Sequence, residues 1–269
     1  MWELFFEPFA AYGFMRRALI GCVAISVGAT PIGVFLMLRR MSLTGDAMAH
    51  AILPGAAVGY LIAGLSLTAM TIGGLIAGMV VALCSGFVAR VTPLREDASL
   101  AAFYLISLAA GVLIVSIRGS NVDLMHVLFG TVLALDDAAL ILLCSIASVT
   151  VVALAVLFRL LILECADPQF LRSVSRLSAV THFTFLALAV LNLVGGFQAL
   201  GTLMIVGIMI LPAASARFWA TGVGGMIVVA VVVAVGASIA GLLLSYHHSL
   251  PSGPAIILSA GVAYILSLL

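Results

Sequence analysis

The chain has 269 residues, 65% of them hydrophobic and only 8% charged, with a mean hydropathy of +1.37. Soluble domains average about 45–50% apolar and about 25% charged residues, so a soluble globule is excluded for want of polar surface, as is a disordered chain. The net charge is +1 and every basic residue is arginine, which leaves no basic field for nucleic acid, no P-loop lysine and no lysine Schiff base.

In chain order, residues 1–15 interleave Trp2, Phe5, Phe6 and Phe9 with Glu3, Glu7 and Pro8. They read as an interfacial amphipathic segment, without the positive n-region of a cleaved signal peptide. A helical span needs about 20 apolar residues. Nine candidate spans lie near 18–38, 47–64, 67–89, 99–117, 138–160, 179–194, 198–216, 223–245 and 253–269. The sixth is short and reads as tilted or broken. Residues 121–135 form a further apolar stretch too short for a span. The expected fold is an all-α polytopic transmembrane bundle of about nine spans, a single domain over 1–269. With the N-terminus outside, Arg39, Arg40, Arg90, Arg95, Arg159, Arg172, Arg176 and Arg217 face inward, and only Arg16, Arg17 and Arg118 face outward. The opposite orientation reverses that bias, so the N-terminus is placed outside.

Pro31, Pro54 and Pro212 fall within spans and are expected to kink them. Gly74 and Gly78, with Gly73 and Ala77, make two small-xxx-small pairs. They serve close packing within one subunit or a dimer face. Cys22, Cys84, Cys144 and Cys165 are spread too widely for a zinc or disulfide framework and read as small hydrophobes.

Ionisable residues at membrane depth are costly and mark function. Asp46 and His50 are spaced i to i+4, on one helix face. Carboxylate plus imidazole is a borderline donor set that suits Zn²⁺ or Mn²⁺ better than Cu(I). The plainer reading makes Asp46 a cap of its own turn and bonds His50 to a neighbouring carbonyl. Asp123 and His126, at an outer boundary, share a face if helical, or else cap a solvated loop. His247 and His248 stand in an outer loop, as ligands or as exposed loop residues. His182, early in the sixth span, reads as a hydrogen bond to a neighbouring helix. Arg95-Glu96-Asp97 reads as the cap and anchor of the fourth span.

The longest inner loop, 160–178, contains Asp167-Pro168, an N-cap followed by the first residue of a short helix. It is either a solvated connector or a docking helix for a cytoplasmic partner, with Phe170 and Leu171 as apolar anchors and Arg172 and Arg176 at the rim. Enzyme signatures such as HExxH and GxSxG do not occur.

The stretch from Leu38 to Gly55 carries an Arg pair, Gly45-Asp46, Ala49-His50 and Leu53-Pro54-Gly55. It resembles the membrane permeases of zinc/manganese/iron ABC importers, the ABC-3 permease family. Arg95-Glu96-Asp97, Val122-Asp123-Leu124 with Leu128-Phe129-Gly130, Asp167-Pro168-Gln169-Phe170, Gly207 to Arg217, and Leu250-Pro251-Ser252-Gly253-Pro254 follow in the family's order. The resemblance covers essentially the whole chain. It implies a homodimer of permeases, two cytoplasmic ATP-binding subunits and an extracytoplasmic metal-binding protein, in the inner membrane of a bacterium. It also implies that Asp46 and His50 lie on the metal path, that Asp123 is the acid before Leu-Phe-Gly, and that Asp167 to Arg176 is the coupling segment.

The reading is therefore a transport subunit and not an enzyme, with no permanently bound cofactor. It moves a divalent transition metal inward, driven by partner ATPases. Zn²⁺ is preferred to Mn²⁺ because His126, His247 and His248 tilt the outer face towards imidazole. The alternative is a stand-alone ion-coupled transporter or channel, which requires charged residues inside several spans.

Overall fold

The computed structural model describes residues 7–64, 66–118, 132, 135–175 and 177–269, apart from the side chains of residues 67, 115–118 and 198. Trp2, Glu3, Phe5, Phe6, Asp123, His126, the Leu128-Phe129-Gly130 motif and Arg176 lie outside the described residues, as does the Arg118 side chain. Among the described residues there is no strand. In lipid, a spanning backbone must satisfy its own N–H and C=O groups, and an apolar chain without barrel alternation does so as helices.

A short α1 (Glu7–Ala11) leads into α2 (Gly13–Leu38), α3 (Thr44–Ala63), α4 (Leu67–Val91) and α5 (Glu96–Arg118). There follow α6 (Asp137–Ala166), the seven-residue α7 (Pro168–Val174), α8 (Leu177–Leu200), α9 (Thr202–Trp219), α10 (Val223–His248) and α11 (Ser252–Leu266). Leaving aside α1 and α7, these nine helices fall on the nine expected spans in order. Eight are long and apolar enough to cross a membrane, and α11 is a shorter apolar helix of 15 residues.

Three boundaries differ from expectation, each because a polar side chain finds a protein partner. The first span starts earlier, at Gly13, and takes in Arg17, whose Nε lies 3.1 Å from Asp137 Oδ1. That ion pair joins the second turn of α2 to the first turn of α6, two spans running the same way. The fifth span runs on to Ala166 and carries Glu164 inside the protein. The sixth is not short: α8 has 24 residues. His182 and Asn192, which lower its hydropathy, are buried, and Asn192 Nδ2 donates to Thr150 Oγ1 at 2.7 Å.

α2 is the centre of the bundle: 72% of its most apolar window is buried, against 17% for α5. It packs against α6, α8, α9 and α10. α3 and α4 approach so closely that a β-carbon on Gly55 would strike the Gly73 carbonyl, and one on Gly59 the Ala69 carbonyl. Gly74 meets Ile52, and Gly78 meets Ile52 and Val190. The small residues of α4 thus seat α3 and α8 of the same chain, the packing reading of that motif. Pro31, Pro54 and Pro212 all lie inside helices.

Candidate functional site

α2 ends at Leu38, and a tight turn reverses the chain into α3. Arg40 takes the left-handed conformation there (φ 60°), and Met41 N donates to Leu36 O at 2.8 Å. Gly33, near the end of α2, lies against the Met209 backbone. Gly45 lies against the tip of Met209 and the side chains of Val206 and Ile210. These are the middle turns of α9, so the first turn of α3 sits deep in the bundle rather than at its rim.

Asp46 is in that first turn and His50 stands one turn further, with Nε2 3.8 Å from Asp46 Oδ1. The cap position of α3 is Leu43, without a side-chain cap bond, so Asp46 does not serve as the cap. Both side chains are open on the face of the chain, at 68% exposure for Asp46 and 41% for His50. The neighbour of His50 is the Tyr104 ring of α5, at 6.4 Å between centroids. Ser107, one turn beyond Tyr104, donates to Ala51 O at 3.2 Å and fixes α5 against α3. Among the described residues no group of three or more His, Cys, Asp or Glu could hold a metal; the Asp46–His50 pair is one carboxylate and one imidazole.

His247 and His248 close the last turn of α10 rather than lying in a loop. The Tyr246 and Tyr12 rings, 5.7 Å apart, set that turn beside the start of α2. The Asp46 turn lies level with Gly33 of α2, beside the same Met209, about 30 Å along the helix axis from its start at Gly13 at 1.5 Å per residue. The structure therefore does not bring these histidines to the Asp46–His50 pair.

α7 forms as its sequence demands. Asp167 Oδ1 accepts from Gln169 N at 3.0 Å and Phe170 N at 2.9 Å, and Pro168 occupies the first turn. The helix packs on α6 and α8. One anchor needs correction: Leu171 is 3% exposed and faces the rest of the bundle. The outward apolar residues are Phe170 and Val174, at 53% and 68% exposure, one turn apart on one face.

Beneath α7 lies a charge network that the sequence reading only partly anticipated. Arg39 Nη2 is 2.9 Å from Glu164 Oε2, and both side chains are 7% exposed. His182 Nδ1 lies 3.2 Å from Glu164 Oε1, and its Nε2 lies 3.1 Å from Glu96 Oε1. The Arg39 guanidinium also stacks over the Phe185 ring at 4.4 Å. His182 is thus the interhelical bond expected of it. The Arg95-Glu96-Asp97 motif divides its work: Asp97 pairs with Arg95 and accepts from Ala98 N, while Glu96 reaches across to α8. Glu164 was missed. Its signal was an acid in the last turn of an otherwise apolar run. Arg39, Arg40, Arg90, Arg95 and Arg172 line a cavity of about 440 Å³ around these acids.

The pattern of the ABC 3 transport family matches residues 11–269. The manganese import system permease protein ScaB of Streptococcus parasanguinis is 30% identical over 263 residues, covering 98% of this chain and 92% of that protein. The chelated iron transport system membrane protein YfeD of Yersinia pestis is 28% identical over 269 residues, covering 100% of this chain and 89% of its own. The structure of PsaBC from Streptococcus pneumoniae in complex with a Fab superposes with a TM-score of 0.84 at 28% identity, over 100% of this chain and 96% of that one.

Proposed function

The chain belongs to the ABC 3 transport family, and we propose that it is one half of a dimeric permease that passes Mn²⁺, before Fe²⁺ or Zn²⁺, into the cytoplasm. It is a multi-pass membrane permease of a bacterial metal ABC importer, and ATP is hydrolysed by a separate subunit. That assignment sets aside the stand-alone ion-coupled transporter.

The observation that carries the reading is the open Asp46–His50 pair in the middle of the bundle. A carboxylate facing lipid at membrane depth is costly and calls for a partner. A second copy set against this face removes that cost and doubles the donors to two carboxylates and two imidazoles, enough for a four-coordinate site. Oxygen and imidazole donors without thiolate suit manganese and iron as well as zinc. The zinc preference rested on His126, His247 and His248. His126 lies outside the described residues and the other two stand at the far end of α2, so the weight passes to manganese, which the ScaB relative is named for.

In this scheme a binding protein delivers the ion at the α10 end, with His247, His248, Asp123 and His126 as entry candidates. The ion passes the paired Asp46 and His50, and the arginine-rich end faces the cytoplasm. There the outward face of α7, with Arg172 and Arg176 at its rim, docks the ATP-binding subunit. Metal is cargo here, so no resident cofactor is needed. The test is uptake of radioactive manganese by cells expressing Asp46→Ala or His50→Ala at wild-type levels, with iron and zinc as competitors. Loss of uptake with retained assembly is the expected result. Wild-type uptake in both variants removes the pair from the path, and competition led by zinc overturns the metal order.

A further inference from the structure

Four elements meet in the Arg39–Glu164–His182–Glu96 network, and its two outer members lead to the same place. Arg39 closes α2 and begins the turn into α3. Backbone bonds from Arg40 N to Met37 O and from Met41 N to Leu36 O make that turn one rigid piece with the end of α2, and Asp46 follows in the next helical turn. Glu96 begins α5, which carries Tyr104 against His50 and Ser107 against the Ala51 carbonyl. The two inner members flank the coupling segment: Glu164 lies three residues before Asp167, and His182 stands in the second turn of α8, the helix that follows α7.

The network is also incompletely satisfied. The Arg39–Glu164 and His182–Glu96 contacts have ion-pair distances but lie off the hydrogen-bond line, and Arg39 Nε is buried with no hydrogen-bond partner among the described residues. A half-satisfied buried network is costly.

Resting on the assignments of Asp46, His50 and α7 above, we propose that Glu164 and His182 are positioning residues that carry displacement of α7, through Arg39 and Glu96, to the two elements presenting Asp46 and His50. When the ATP-binding subunits move α7, the ends of α6 and α8 move with it. Glu164 then draws Arg39 and the α2–α3 turn, and His182 draws the start of α5. Asp46 and His50 shift relative to their counterparts in the second copy, and the metal shell opens or closes.

The experiment uses the permease with its ATP-binding subunits in lipid nanodiscs. Spin labels at positions 42, 173 and 221 report the turn, α7 and the α9–α10 connection. In the wild type, trapping the complex with ATP and vanadate should change the 173–221 and 42–221 distances together and leave 42–173 constant. If 42–173 changes by as much as 173–221, the turn does not follow α7 and the proposal fails. In liposomes, Glu164→Gln should keep its ATPase partner at wild-type stoichiometry. It should lower manganese transported per ATP by at least about fivefold, the low end of coupling between sites, and Glu164→Asp should recover most of it. Wild-type transport per ATP in Glu164→Gln overturns the proposal even where Asp46→Ala is inactive. Wild-type transport in Asp46→Ala instead defeats the metal-path reading, and an intact complex without Phe170 and Val174 defeats the docking reading. Should Glu164→Gln fail to assemble, the wild-type distances alone decide.

Discussion

Replacing Phe170 and Val174 with alanine should detach the ATP-binding subunit without unfolding the permease. The two side chains are 53% and 68% exposed, whereas Leu171 between them is 3% exposed. A phenylalanine offers about 150–250 Å², so roughly 100 Å² of Phe170 remains to be covered, worth about 2.5 kcal/mol at about 25 cal/mol per Å². Val174 adds about 1–2 kcal/mol on the same basis, and the alanine β-carbons and ordering costs take part of it back. A net loss of about 2–4 kcal/mol corresponds to about 30- to 700-fold weaker binding. Biolayer interferometry of purified ATP-binding subunits on nanodisc-embedded permease reads this directly. Leu171→Ala is the contrasting variant: it should lower the melting temperature of the isolated permease, since truncating a buried leucine costs about 2–5 kcal/mol, and should change docking much less. Affinity within twofold of wild type for the double variant, or a larger docking loss for Leu171→Ala at unchanged stability, would show that the outward face of α7 is not the docking surface.

Gly55→Leu should drive α3 from α4, because even a β-carbon there strikes the Gly73 carbonyl. Overpacking costs about 1–3 kcal/mol or more, to be read as a lower melting temperature in detergent, whereas Gly236→Ala on α10 meets nothing within 4 Å and should be neutral or stabilising. Thr150→Val deletes the 2.7 Å bond from Asn192 between α6 and α8 and should cost about 0.6–1.7 kcal/mol, the range for such bonds inside membrane bundles, again by thermal denaturation. For orientation, single cysteines placed at 249 and 173 in a chain lacking the native cysteines should label from outside and from inside respectively with an impermeant thiol reagent; the reverse pattern would invert the bundle and move α7 away from the cytoplasm.

The spans were legible because their cause is local. Twenty apolar residues in lipid have one way to satisfy their backbone, and the nine runs appear as nine helices in order. The α7 start was legible for the same reason: Asp167-Pro168 supplies both the acceptor and the preset φ of a first turn. Asp46 and His50 share a face by spacing alone. What spacing does not give is which way a face turns. Phe170 and Leu171 are neighbours of similar hydrophobicity, and only the packing of α7 onto α6 and α8 buries the second and leaves the first outward.

Glu164 marks the sharper boundary between the two kinds of information. An acid inside an apolar run cannot stay charged and alone, because burial of an unpaired charge costs several kcal/mol. The run before Asp167 therefore already demanded a cation from elsewhere in the fold. The arginines on the same side of the membrane were all candidates by topology. The choice of Arg39 follows from α2 being the central helix, whose end lies beside both α6 and α8: Phe35, one turn earlier, meets Phe158 and Phe185 edge-on at 6.2 Å each. Arg90, by contrast, is bound to Ser178. The need for a partner is thus written in one segment, while its identity is a property of how α2, α6 and α8 pack.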